Sequence, residues 1–449
     1  VVKSQAAAAP FVSATGQAFS REPTPGDWWR LYQDPVLDEL VRQAFAANTD
    51  LRMAEANLER SQALLRQARA ARQPSVAVNF DPSYQQLSTE SYLQPGVVAP
   101  LGLYDTGVAV SYELDLFGRI HRAIQAASAD DEAVRAAYDL SKITVAAETA
   151  RAYADVCGAG EQLAAAGRVL ALQKQSYTLT QRLVRSGRGA ALDLTRSVAQ
   201  ISQYEANIPA LEAARRNALI RLAVLTGRPP SDYPHAAEAC TTSPRLSQPI
   251  PVGDGALLLR RRPDVRAAER TLAADTDRIG VAMGELYPIV SLGATAGSTG
   301  AITDAFTPET NRYGFGPNIQ WQLNQNAARA RVAAAEATTR MALAHFDGVV
   351  LNALREAEAA LTTYAQDLQR NADLAAVRDR TAQAVGQSRA LYIGGKIDFL
   401  SYLDAQRSLA SADTALAASA GQLSADQVAI FLALGGGWES AHASVAVAK

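Results

Sequence analysis

Cysteine and histidine are scarce here, with two and four copies in 449 residues. His121, His235, His345 and His442 stand on separate segments without carboxylate partners at useful spacing. They read as surface or packing residues, so no metal, no cofactor and no enzymatic activity is expected. Aromatic residues make up only 6%, and a formal charge of −2 leaves no basic footprint for nucleic acid. No apolar run reaches the roughly 18 to 20 residues of a membrane-spanning helix. Proline and glycine are confined to a few places. Gly187, Gly189, Gly394 and Gly395 match neither the P-loop nor the dinucleotide spacing and read as turns. The sequence opens on Val1 with neither Met nor a signal peptide, which reads as the loss of an N-terminal piece.

What the chain has in quantity is alanine, set among mixed acidic and basic residues. That is the composition of long helices that pack closely. Between them lie short alternating stretches. In Val108–Arg119 the residues Val108, Val110, Tyr112, Leu114 and Leu116 share one face, and Ala109, Ser111, Glu113 and Asp115 the other. This period of two predicts a strand, and its polar and apolar faces suit a membrane β-barrel with a wet lumen. Val76, Val78 and Phe80 predict its hairpin partner across an exposed loop at 81–102.

The chain then divides as follows. Residues 1–35 form an extended arm held by Trp28 and Trp29. The first repeat, 36–227, holds a helix to Gln73 stopped by Pro74, a β-hairpin over about 75–117, and a long helix pair over 118–227 with a Gly turn at 187–189. Leu194, Val198, Ile201, Ile208, Leu211, Ala218, Leu222 and Leu225 form a heptad seam on the returning helix, and Pro209 is expected to kink it. A loop at 228–263 packs on the outside. The second repeat, 264–435, has its hairpin over about 289–323 and its helix pair over 327–435, turning at Gly394 and Gly395. Residues 436–449 read as a flexible tail. The fold class is mainly α with a β-barrel part, in two tandem repeats.

Four strands cannot close a barrel, since single-chain barrels need roughly eight. Open edges are excluded in lipid. Three copies would supply the missing strands. Here the resemblance is plain: the chain resembles the outer-membrane factor (TolC/OprM-like) family, its lipoprotein drug-efflux channel branch above all. The carriers are Trp28-Trp29 with Asp34-Pro35, then Tyr112 to Arg119, Arg261-Arg262-Pro263-Asp264-Val265, and Leu403 to Leu409. Leu323-Asn324-Gln325-Asn326 departs from the family's usual Phe-Asp-Gly-Gly. The resemblance implies a homotrimer with a twelve-stranded outer-membrane barrel, a periplasmic helical tunnel and an equatorial belt. It implies a Gram-negative outer membrane, most of the chain in the periplasm, and an N-terminal lipid anchor as in acylated members. It also implies partners: outer-membrane lipid, a periplasmic adaptor and a proton-driven inner-membrane pump. The expected function is a passive exit duct for small molecules. A type I protein-secretion duct and a soluble structural coiled-coil protein are the alternatives.

Leu400 and Asp404 lie four apart on one helix face. The resemblance makes them the constriction of the periplasmic tip, an apolar ring and a carboxylate ring, with Arg196 as a salt-bridge partner. An ordinary seam Leu and a solvated Asp is the plainer alternative. Helix rise places Cys157 about 45 Å above the tip and the end of the returning helix about 55 Å above it. Cys240, in the loop that follows, could fold back to meet Cys157; two separate buried thiols are the other reading.

Overall fold

The computed structural model describes residues 5–436 apart from 15, 87, 89–95 and 98. The tail expected at 436–449, beyond Gly436, and the centre of the first hairpin loop lie outside the described residues. In chain order the elements are α1 (Gln5–Ala8), β1 (Phe19–Ser20), a 3-10 turn (Trp28–Tyr32), α2 (Pro35–Ala47), α3 (Thr49–Ala70), β2 (Ser75–Gln85), β3 (Leu101–Leu114), α4 (Arg119–Arg185) and α5 (Ala191–Leu225). There follow α6 (His235–Glu238), β4 (Ile250–Pro251), α7 (Gly255–Arg261), α8 (Pro263–Gly284), β5 (Ile289–Ala301), β6 (Asn311–Gln320), α9 (Asn326–Ile393) and α10 (Phe399–Ala433). The protein is thus mainly α-helical, with very long helices and a separate sheet. Among the described residues no helix is long and apolar enough to cross a membrane.

Two compact units emerge. One comprises 1–56, 136–266 and 347–449; the other comprises 57–135 and 267–346. The first holds the main apolar core. Trp28 is fully buried there and stacks on Phe431 at 4.6 Å, while Leu37, Val41, Leu222 and Ile430 close around it. The Asp34-Pro35 pair starts α2 for two reasons. Proline at N1 gives up an N–H that has no helical partner, and the Asp34 carboxylate accepts the Val36 N–H at 2.8 Å. Its second oxygen takes the Tyr153 hydroxyl at 2.7 Å. Arg262, 7% exposed, binds Asp264 at 2.6 Å, Glu356 at 2.8 Å and the Ala433 carbonyl at 2.8 Å, so one guanidinium ties three helices. The heptad helix α5 continues as one helix through Pro209.

Three features differ from the sequence expectation. The helix expected from Pro35 to Gln73 is two helices. Asn48 turns extended between them, caps α3 through Asp50 N (2.9 Å) and Leu51 N (3.2 Å), and donates to Leu225 O at 3.1 Å. A buried polar side chain with all these partners stabilises a break that apolar periodicity cannot reveal. The loop region at 228–263 carries α6, β4 and α7, and β4 pairs in parallel with β1 of the arm. Finally, β2 and β3 extend into the expected loop, as far as Gln85 and from Leu101. Pro82 is tolerated because β2 is an edge strand.

The second unit contains the four-stranded antiparallel sheet, ordered β2-β3-β5-β6. Its helical segments carry the ion pairs Arg122–Asp277 (2.7 Å), Arg278–Asp130 (2.5 Å) and Arg270–Glu132 (3.2 Å).

Candidate channel wall and pore constriction

Two sites carry the functional reading. The sheet is the first. Its register puts Val76, Val78 and Phe80 of β2 in rows with Val110, Val108 and Thr106 of β3, Ala294, Ala296 and Ser298 of β5, and Phe315, Tyr313 and Asn311 of β6. Toward the helix-connected end that face is apolar and bare, with Val78 75% exposed, Tyr313 89% and Phe315 90%, whereas the Phe80 row ends in polar Thr106, Asn311 and buried Ser298. The opposite face carries Ser75, Ala77, Asn79, Asp81, Asp105, Ser111, Thr295 and Arg312, so it is small and polar. Among the described residues both edge strands, β2 and β6, have no neighbour on one side. Apolar surface on this scale, beside two unpaired backbone edges, is unstable in water.

The second site is the pair of turns that end α4 and α9. Gly187 and Gly395 adopt φ of +73° and +69°, the left-handed region where side chains are strained. In each turn the glycine N–H and the next N–H reach back to the helix. Gly187 N bonds Val184 O at 3.0 Å and Arg188 N bonds Leu183 O at 2.8 Å. Gly395 N bonds Tyr392 O at 3.0 Å and Lys396 N bonds Leu391 O at 2.9 Å. Both are Schellman motifs, which satisfy the otherwise orphaned carbonyls of a helix end. Gly189 is needed for space, since a Cβ there would lie 2.9 Å from the Val184 side chain, whereas Gly394 follows the last turn of α9 without a positive φ. Arg188 joins the two turns by donating to the Ile393 carbonyl at 2.9 Å.

Beneath the turns lies a small core of Leu183, Val385, Tyr392, Phe399, Tyr402, Leu403 and Leu409. Tyr392 and Tyr402 stack at 5.3 Å, and burial pushes both hydroxyls above the usual tyrosine range. A polar seam continues it: Ser176 Oγ donates to Gln406 Oε1 at 3.2 Å, and Gln406 Nε2 donates to the Tyr402 hydroxyl at 3.2 Å. Sequence reasoning missed this seam and Arg188. The only signal was a polar Gln406 at helical spacing from Tyr402 and Leu403, both of which proved buried.

Asp398 caps α10 by accepting the Ser401 N–H at 3.0 Å, and the contacts from Ser401 hold its carboxyl below the ordinary value. Leu400 and Asp404 stand on the exposed face of α10, Leu400 at 46% exposure, while Tyr402 and Leu403 between them in sequence are buried. Arg196 is exposed and lies 4.0 Å from Asp193. Among the described residues no ion pair within the chain joins it to Asp404. Cys157 and Cys240 form a disulfide, Cα to Cα 4.8 Å, that ties the loop after α5 to α4. The loop comes so close that a Cβ on Gly160 would lie 2.4 Å from the Cys240 carbonyl.

The sequence pattern of one family, described as outer membrane efflux protein, matches residues 40–228 and 256–436. The chain belongs to the outer membrane efflux protein family. Outer membrane protein OprJ of Pseudomonas aeruginosa is 31% identical over 433 residues, covering 93% of this chain and 88% of that protein. The pyoverdine export outer membrane protein OpmQ of Pseudomonas putida is 30% identical over 423 residues, covering 92% and 88%. The solved structure of the outer-membrane channel OprN superposes with a TM-score of 0.90 at 34% identity, covering 97% of this chain and 98% of that one. This efflux protein is therefore the outer-membrane channel component of a tripartite system for small-molecule export. It is a conduit and not an enzyme.

Proposed function

We propose that three copies close a twelve-stranded barrel in the outer membrane and a helical tunnel in the periplasm, forming a passive duct for small molecules. Residues 36–227 and 264–435 are its repeats, and the arm at 1–35 with the segment 228–263 forms the belt around the helices. A periplasmic adaptor docks the duct to a proton-driven pump in the inner membrane. The observation that carries this reading is the open sheet. Its bare apolar face suits lipid, its small polar face suits a wet lumen, and its two edges need partners that another copy supplies.

Leu400 and Asp404 constrict the tip in this reading, since both are free on the exposed face of α10 while their neighbours are locked in the core below. Arg196 meets Asp404 of an adjacent copy. The test has two stages. Light scattering corrected for bound detergent should give the mass of a trimer, and a monodisperse monomer would overturn the architecture. In planar bilayers, Asp404→Ala and Leu400→Ala should each raise single-channel conductance. Wild-type conductance in both would move the constriction elsewhere.

A further inference from the structure

The four strands of the sheet carry only four charged side chains: Asp81 on β2, Asp105 and Glu113 on β3, and Arg312 on β6. All of them alternate onto the small polar face. Glu113 sits at the helix-connected end and is paired with Arg119 at 2.8 Å. The other three gather toward the loop-connected end. Asp81 stands directly across from Asp105 in the ladder, an arrangement in which two carboxylates repel.

The structure relieves only one of them. Arg312 belongs to the row that runs through Gly297 and Gly107 to Asn79, yet its guanidinium crosses β5 to bond Asp105. The two glycines on its path face each other. A Cβ on Gly297 would lie 2.3 Å from the Thr106 carbonyl, and one on Gly107 would lie 2.9 Å from the Ala296 carbonyl. Neither position accepts a side chain, so the path stays clear. Asn79 adds a second bond to Asp105 at 2.8 Å and reaches Asp81 only at 3.4 Å. Among the described residues Asp81 has no cationic partner. Each chain therefore presents one uncompensated carboxylate on this part of the face.

We infer that, in the closed barrel proposed above, Asp81 makes the exit lumen favour cationic over anionic solutes, and Arg312 sets the strength of that preference by neutralising Asp105. Threefold repetition turns a single carboxylate into a ring at one height of the lumen. Such a ring raises the local concentration of cations over about one Debye length, roughly 10 Å at 0.1 M salt and about 3 Å at 1 M. The nearby loop also carries Asp304 and Glu309, so the isosteric change at Asp81 is the discriminating one.

The experiment is a reversal-potential measurement on the purified protein in planar bilayers under a KCl gradient near 0.1 M. Every form also carries Asp404→Asn, which removes the tip carboxylates from the reading. Asp81→Asn should lower the potassium-to-chloride permeability ratio roughly two-fold, and Arg312→Gln should raise it by a similar factor. Both differences should shrink in 1 M KCl. Ratios unchanged in both variants, or shifted in the opposite sense, would overturn the assignment. If Asp81→Asn does not assemble, Arg312→Gln alone decides. A parent protein that is not trimeric or does not conduct sinks the barrel reading itself, and that result is seen before any variant is compared.

Discussion

The two repeats are built alike and reinforced differently. Their long helices run 67 and 68 residues and their returning helices 35 each. All four of these helices end in the same way, with a positive-φ glycine at 187, 227, 395 and 435. The same offset separates Gly187 from Gly395 and Gly227 from Gly435, which sets the register for comparing one copy with the other. In that register Ala159 and Ala218 of the first repeat, both buried, stand where the second has Asp367 and Asp426. The first repeat has a disulfide to the loop that follows it. The second is held by the arm, whose Val12 and Ser13 N–H groups donate to Glu358 at 2.8 and 2.9 Å. The strand-to-helix corners differ too. The first uses Gly118, at φ +76°, with Asp115 capping Ile120 and His121 at 3.0 and 2.7 Å. The second has no positive φ at 323–326; Trp321 and Gln325 instead donate to the Leu286 carbonyl at 3.1 and 2.9 Å. The helix lengths and the glycine-ended turns are therefore kept between the repeats, while the corners and the side chains that secure them diverge.

The largest expected effect comes from removing the covalent tie in the first copy. The bridge closes a stretch of 83 residues. On the chain-entropy model that contributes about 4 kcal/mol. Cys240→Ser should lower the thermal midpoint in detergent by roughly 4 °C. Alkylation of the unfolded wild-type chain without reductant should leave both sulfurs unlabelled. Two labelled thiols, or an unshifted midpoint, would remove the asymmetry between the copies.

Next come the glycines, which sharpen the contrast between the two ends of one helix pair. Gly187 and Gly227 share nearly the same φ, but space differs. A Cβ on Gly187 meets nothing within 4 Å, whereas one on Gly227 would lie 2.6 Å from the Ala47 carbonyl. Gly187→Ala should therefore cost only the left-handed strain, about 1 to 2 kcal/mol. Gly227→Ala adds a backbone collision and should cost about 3 kcal/mol. Comparable thermal midpoints for the two variants would show that α2 yields freely at Ala47.

The period-two and helical patterns were sufficient to locate the sheet and the long helices, because both elements expose one face and bury another. The break at Asn48 was not legible, since it depends on a hydrogen bond to Leu225 far along the chain. The polar seam at Gln406 was invisible for the same reason, as was the arginine that reaches across β5 to Asp105. Leu400 and Asp404 could be placed on one face from their spacing. Their exposure follows from the packing of Tyr402 and Leu403 between them, which only the fold supplies.

The smallest expected effect tests the carboxyl pair that the first copy lacks. Asp426 is 6% exposed, and Gln422 donates to it at 2.8 Å. Burial raises its pKa from 3.8 to about 6; the Gln422 hydrogen bond opposes that rise, the facing Asp367 adds to it, and Arg151 opposes it least. The folded chain thus holds this proton more tightly than the unfolded one. The associated stability is complete below about pH 4, is lost as pH rises through about 6, and changes no further above that. Its size is on the order of 1 to 2 kcal/mol once solvent relaxation is allowed for. Asp426 and Asp155, both raised by burial, should therefore each add a downward component to the thermal midpoint between pH 4 and 7, and Asp426→Asn should remove the share that Asp426 carries. The Asn variant cannot ionise, so it should gain relative to wild type at pH 7 and lose that advantage at pH 4. If the two proteins keep a constant difference across the range, Asp426 is not held protonated by its surroundings. The second repeat would then owe its packing here to shape alone, as Ala159 and Ala218 do in the first.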